Sequence, residues 1–206
     1  MRRAVPLGCL AAVLGCDWVV LRRRPRWIVT GIFDHPAHLA TAALVLLNLA
    51  PRPRGWGRGF LAGSLIADVD HLPLALREEH PTLDDPRPVS HCLLAIAPVA
   101  AVAGARRSPP LAGVAAGMLA HFVRDLGVGT GVPLAWPVSR RALRVPYPVY
   151  AGACAVLAVR AGLRKSAPNA LDAATAGKAR RCARGFRVTR GRMPNFRRSG
   201  SLPRGL

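Results

Sequence analysis

Six apolar stretches, at 4–20, 36–50, 59–67, 91–105, 111–123 and 146–159, alternate with breaks rich in arginine and proline. Arg22-Arg23-Arg24-Pro25-Arg26, Pro51-Arg52-Pro53-Arg54-Gly55 and Arg106-Arg107-Ser108-Pro109-Pro110 are such breaks, and Arg160 followed by Arg164-Lys165 closes the last stretch. Ala, Gly and Leu dominate the stretches, which show little polar face. A helix that is apolar all round lies deep in a large core or in lipid. A chain of this size cannot surround five such helices with protein. The stretches are nine to seventeen residues long. That is short of the roughly 20 residues of an upright membrane span, so tilted or half-embedded helices are expected. Small residues let such helices approach closely. The pattern predicts an all-α fold, a compact helical membrane protein of about 4–6 short hydrophobic helices in hairpins. A soluble bundle of buried helices is the competing reading.

Composition sharpens this picture. The 206 residues include 30 Lys+Arg against 10 Asp+Glu, for a formal charge of +20, yet 51% are hydrophobic. That combination excludes an ordinary acidic cytosolic enzyme and a wholly disordered polar chain. Residues 1–33 carry +5, residues 34–125 are neutral and residues 126–206 carry +15. Three segments follow. Residues 1–33 form a basic N-terminal segment with a signal-anchor or targeting-like helix, either retained or cleaved. Residues 34–162 form the membrane-embedded domain. Residues 163–206 hold twelve bases, one acid and no apolar periodicity, as expected of a disordered arginine-rich tail.

The expected partner is the lipid bilayer. Anionic lipid is the candidate contact for the tail, against a plain solvated tail. Nucleic acid is disfavoured, because Phe186 and Phe196 are the tail's only aromatic residues and single-strand binding rests on stacking. Nothing in the pattern sets an oligomeric state. The five cysteines are odd in number with no CxxC spacing, which gives no disulfide framework or zinc finger.

The neutral middle segment holds the chemistry. All six histidines (His35, His38, His71, His80, His91 and His121) lie there. His38 stands at the start of the second apolar stretch. Asp68, Asp70 and His71 end the third, His91 starts the fourth, and His121 with Asp125 ends the fifth. In antiparallel hairpins these ends all fall on one side of the membrane. His121 and Asp125 are four apart, and Asp68 and His71 three apart, so each pair shares a helical face. Asp70 would point elsewhere, as a further ligand or a general base.

Taken singly, each residue has a plainer explanation: helix-end histidines and aspartates are commonly caps or interfacial groups. Asp125, however, sits at a C-terminal end, where the helix dipole disfavours an anion. Burying Asp and His near a membrane is costly and usually functional. Imidazole with carboxylate suits a divalent metal, zinc first and manganese or iron as alternatives. The expected ligands are His38, Asp68, His71, His91, His121 and Asp125. Asp70 and Arg87 are the catalytic candidates. Arg87 and Arg124 could both hold an anionic group such as phosphate.

The ordered motifs resemble a known family. His38 within Asp34-His35-Pro36-Ala37-His38 comes first, then Asp68-Val69-Asp70-His71, Ser90-His91-Cys92 and His121-Phe122-Val123-Arg124-Asp125. Gly131-Val132-Pro133-Leu134-Ala135-Trp136-Pro137 comes last. Order and spacing over residues 33–150 are similar to the YdjM-like (LexA-binding, inner-membrane-associated) family of metal-dependent hydrolases. Ala67 stands where that family has proline, and Pro86 where it has a histidine before arginine. Ser90 and Cys92 replace its flanking Thr and Ser.

The resemblance implies an integral membrane metal-dependent hydrolase that uses a metal-activated water, on a phosphoester or lipid-like substrate. The alternative is a non-catalytic membrane scaffold or regulator with a degenerate metal site, which the missing histidine at Pro86 favours.

Overall fold

The computed structural model describes residues 4–24, 27–71 and 91–164, all within one compact unit. His80, Arg87, the side chain of Asp70 and the tail from residue 165 lie outside the described residues. Six α-helices are described: α1 (Ala4–Arg23), α2 (Trp27–Asn48), α3 (Trp56–Ile66), α4 (Leu93–Ala105), α5 (Pro109–Gly127) and α6 (Tyr147–Leu163). A 3₁₀ turn, Ala67–Asp70, continues α3. Val132 and Leu143 form one antiparallel bridge, and no strand is present among the described residues. The fold is all-α, as the pattern predicts.

Several helices outrun their apolar stretches. α1 has 20 residues, α2 has 22 and α5 has 19. In α1 and α5 the excess is mostly polar or proline residues at the ends, and in α2 it is the segment 27–35, which ends in Asp34 and His35. Asp34, His35 and Pro36 sit inside α2 rather than ahead of it. Pro36 has no amide to donate, yet the helix runs through it. At α5 the side chain of Ser108 accepts from the Leu111 amide and Pro109 opens the helix, an arrangement in which the missing proline amide costs nothing. Of the described helices, α1 is long and apolar enough to cross a membrane by length and composition. α4 and α6 are shorter apolar helices.

The tightest contact is the crossing of α3 with α5. Both carry Gly-x-x-x-Gly, as Gly59/Gly63 and Gly113/Gly117. A Cβ on Gly63 would lie 2.1 Å from the Val114 carbonyl oxygen, and one on Gly117 would lie 2.0 Å from that of Phe60. Only glycine permits this backbone-to-backbone approach, which is a membrane-helix device. α2 packs against α1, α3, α5 and α6 and so forms the middle of the bundle. Tyr150 of α6 donates to the Thr41 hydroxyl of α2 at 2.7 Å, and Thr41 passes its own proton to the Ala37 carbonyl at 2.9 Å. Val13, Leu44, Val128, Tyr150 and Cys154 make one apolar core, while Ile96, Met118, Phe122 and Val132 make another.

Large apolar side chains also face outward, among them Leu7, Trp18, Ile32, Leu94, Val123, Val156 and Leu163. Such outward apolar side chains on several helices suit a lipid surround.

Candidate metal centre

The middle of α2, where His38 sits rather than at the helix start expected from sequence, meets the polar ends of α3, α4 and α5 in the interior. His38 comes from α2, Asp68 and His71 from the end of α3, His91 from just ahead of α4, and His121 and Asp125 from α5. His38, His91, His121 and Asp125 are fully buried, and the Asp68 side chain is nearly so. The structure therefore brings together all six residues expected as ligands.

The distances describe a cluster aimed at shared points. His121 Nε2 lies 3.0 Å from Asp125 Oδ2, 3.3 Å from Asp68 Oδ1 and 3.3 Å from His91 Nε2. His91 Nε2 is 3.5 Å from Asp125 Oδ2, and His38 Nε2 is 3.5 Å from Asp125 Oδ1. The His38 and His121 rings stack at 3.8 Å with planes 5° apart. His71 Nδ1 approaches Asp68 Oδ1 at 3.4 Å from the more open edge. His35 faces the same carboxylate at 3.7 Å but is half exposed.

Three sets have ligand atoms within 4.8 Å of one another: His38/His121/Asp125, Asp68/His91/His121 and Asp34/His38/Asp68. Such sets could hold a metal ion. The carboxylate oxygens of Asp68 are shielded from solvent, and the imidazoles of His35, His71, His91 and His121 stand around them at 3.3–3.8 Å. Buried carboxylates and imidazoles that converge at these distances fit a common ion. Leaving a buried carboxylate uncompensated is costly.

Local structure fixes how each group points. His121 Nδ1 donates to the Ser64 carbonyl at 2.9 Å. A carbonyl only accepts, so the ring proton stays on Nδ1 and the Nε2 lone pair faces the cluster. The glycine crossing of α3 and α5 puts that carbonyl within reach. His91 is set by the loop after α5. Gly131, at φ 91, would place a Cβ 2.2 Å from the Leu143 carbonyl oxygen. With glycine there, Val132 pairs with Leu143, and the Leu134 carbonyl accepts the Leu93 amide at 3.1 Å. The Gly131-Val132-Pro133-Leu134 motif thus pins the start of α4 next to His91. Phe122 packs on both His91 and His121 and keeps water off their inner side.

Arg124 differs from expectation. Instead of meeting an anionic substrate it is fully buried. Its Nη2 donates to Asp17 of α1 at 2.6 Å, and Nη1 donates to Asp34 of α2. Nη1 also lies 3.1 Å from His38 Nε2. Neither Asp17 nor Asp34 is among the ligands expected from sequence. Asp17 reads as a break in an apolar run. Asp34 reads as loop, because the second stretch begins at Pro36. The four-residue spacing of Asp34 and His38, 3.3 Å apart in space, was the available signal.

Four carboxylates, of Asp17, Asp34, Asp68 and Asp125, are buried or nearly so, and the one buried guanidinium among the described residues, Arg124, pairs with two of them, Asp17 and Asp34. The excess negative charge can be offset by bound cations or protonated imidazoles. Asp70 belongs to the 3₁₀ turn by its backbone. The Asp70 side chain and Arg87 lie outside the described residues.

An all-helical bundle with an apolar exterior and a buried His/Asp cluster defines a helical membrane protein with a metal-site-like interior. The family model described as YdjM inner membrane protein matches residues 7–183, and the chain belongs to that family. It is accordingly an integral membrane protein in contact with the lipid bilayer. Comparison with curated proteins and with solved structures gives no match.

Proposed function

We propose that the protein is a membrane-embedded, metal-dependent hydrolase acting on a phosphoester or lipid-like substrate. The observation that carries this reading is the convergence of His38, His91 and His121 with Asp68 and Asp125, ligand atoms within 4.8 Å in overlapping sets. His71, partly exposed, stands at the edge where a substrate would enter. Zinc is the preferred ion, with manganese or iron as alternatives, since imidazole and carboxylate suit all three. A divalent ion with an open position lowers the pKa of its bound water to about 7 and supplies hydroxide for attack.

The chain's own groups do the rest. Ser64 holds the His121 proton on Nδ1, which leaves Nε2 available. Phe122 and the apolar helix faces exclude water behind the histidines. Asp70 is assigned the general base and Arg87 the contact to an anionic group, both on sequence position alone.

The test is metal analysis of detergent-purified protein beside His121→Ala and Asp68→Ala, followed by assays on phosphoester and phospholipid substrates. Bound metal that falls in both variants, together with chelator-sensitive hydrolysis, is the expected result. Unchanged metal content in both variants sinks the site. Metal without turnover instead favours the scaffold reading, to which the proline at position 86 already points.

A further inference from the structure

We propose that Asp17 is a positioning residue of the centre, acting through Arg124 on His38, so that α1 is a working part of the site. The inference rests on the metal-site reading above and extends it to a helix that contributes no ligand to it.

The guanidinium of Arg124 lies among three acceptors. Nη2 is held by Asp17 at 2.6 Å, and Nη1 is shared between Asp34 and His38 Nε2, the latter at 3.1 Å. His38 Nε2 is also the atom that faces Asp125 Oδ1 at 3.5 Å. One lone pair cannot both accept from Arg124 and bind an ion, so the two uses of His38 compete.

Asp17 biases that competition. It takes one arm of the planar fork, and Asp34 supplies the acceptor for the other, which suits bidentate guanidinium geometry. The cation is then neutralised and held toward α1. With Asp17→Asn, Nη2 keeps at most a neutral amide oxygen, and the guanidinium is no longer neutralised from the α1 side. The guanidinium then leans on the remaining acceptors, His38 among them, and brings an unbalanced positive charge up to the cation site. Tyr147 of α6 faces the same carboxylate of Asp17, which fixes it from a second helix.

The experiment compares zinc affinity, by chelator competition in detergent, for wild type, Asp17→Asn, Arg124→Met, the double variant and Val13→Ala. Val13 is fully buried on α1 in the apolar core with Leu44 and Tyr150, and it controls for loosened α1 packing. Asp17→Asn is expected to weaken zinc about 10- to 100-fold, the range for groups that orient ligands. Val13→Ala should lower Tm and leave zinc affinity within about twofold of wild type. In the Arg124→Met background the asparagine should have no further effect.

The role is overturned if Asp17→Asn binds zinc like wild type, if Val13→Ala weakens zinc equally, or if Asp17→Asn is just as harmful without Arg124. A wild type that takes up no zinc, manganese or iron sinks the metal-site reading and this role with it. A metal-binding wild type with an indifferent Asp17→Asn sinks this role alone.

Discussion

His121 hands its Nδ1 proton to the main-chain carbonyl of Ser64, 2.9 Å away on a different helix. The partner is backbone, so the side chain of residue 64 is dispensable for the contact. The Ser64 hydroxyl donates instead to the Leu61 carbonyl at 2.8 Å. Ser64→Ala is therefore expected to cost about 1 kcal/mol of stability and to leave metal content intact, read by thermal unfolding and elemental analysis. Loss of the metal in Ser64→Ala would mean that the hydroxyl, not the carbonyl, supports the site.

The glycines should behave in the opposite way. Alanine at Gly117 meets the Phe60 carbonyl oxygen at 2.0 Å, and alanine at Gly63 meets that of Val114 at 2.1 Å. Both force α3 and α5 apart and draw Ser64 off His121. Each is expected to cost about 1–3 kcal/mol or more and to lower metal affinity as well. Gly152 has nothing within 4 Å of an added Cβ, so Gly152→Ala should leave both unchanged.

Arg124→Met removes the cation between Asp17 and Asp34, both buried. Breaking a buried pair from one side costs about 3–5 kcal/mol, so a large drop in Tm or in folded yield is expected. Arg124→Lys should recover little, because a lysine cannot span both acids with a planar fork. Were Arg124 a substrate contact, Arg124→Lys would alter KM and spare Tm.

The link between α2 and α6 is a hydroxyl chain from Tyr150 to Thr41 to Ala37. Tyr150→Phe leaves the buried Thr41 oxygen without its incoming proton, at about 1–2 kcal/mol. Thr41→Val should cost a similar amount. The double variant is expected to cost clearly less than the two added together, measured as a cycle of unfolding midpoints.

Chelation should destabilise the protein. An ion that binds only the folded state stabilises by about 2.7 kcal/mol at a hundredfold excess over its Kd. Stripping it leaves Asp68 and Asp125 facing one another across three imidazoles. A fall in Tm with chelator, reversed by added zinc, is expected for wild type and not for His121→Ala.

The helices and their hairpin order were legible in the arginine and proline breaks. The shared faces of Asp68 with His71 and of His121 with Asp125 were legible as local spacing, whereas His38 lies mid-helix in α2 and not at the hairpin end expected of it. Helix ends were harder. The hydropathy pattern stops at the first polar residue, whereas α2 and α5 carry their polar residues inward as helix. Asp34 was missed for that reason. The Asp17–Arg124 pair joins residues 107 apart, and no local pattern encodes it. An acid inside an apolar run reads as a flaw, and an arginine beside a ligand reads as a substrate hook. Only the packed bundle shows that each answers the other.

That pairing also bears on how the bundle is made. α1 leaves the ribosome before α5, carrying an acid whose partner is synthesised 107 residues later. At about 5–20 residues per second the delay is on the order of 5–20 s. During that interval α1 holds an uncompensated carboxylate that lipid does not accept. Its pairing across the bundle then has to wait for α5.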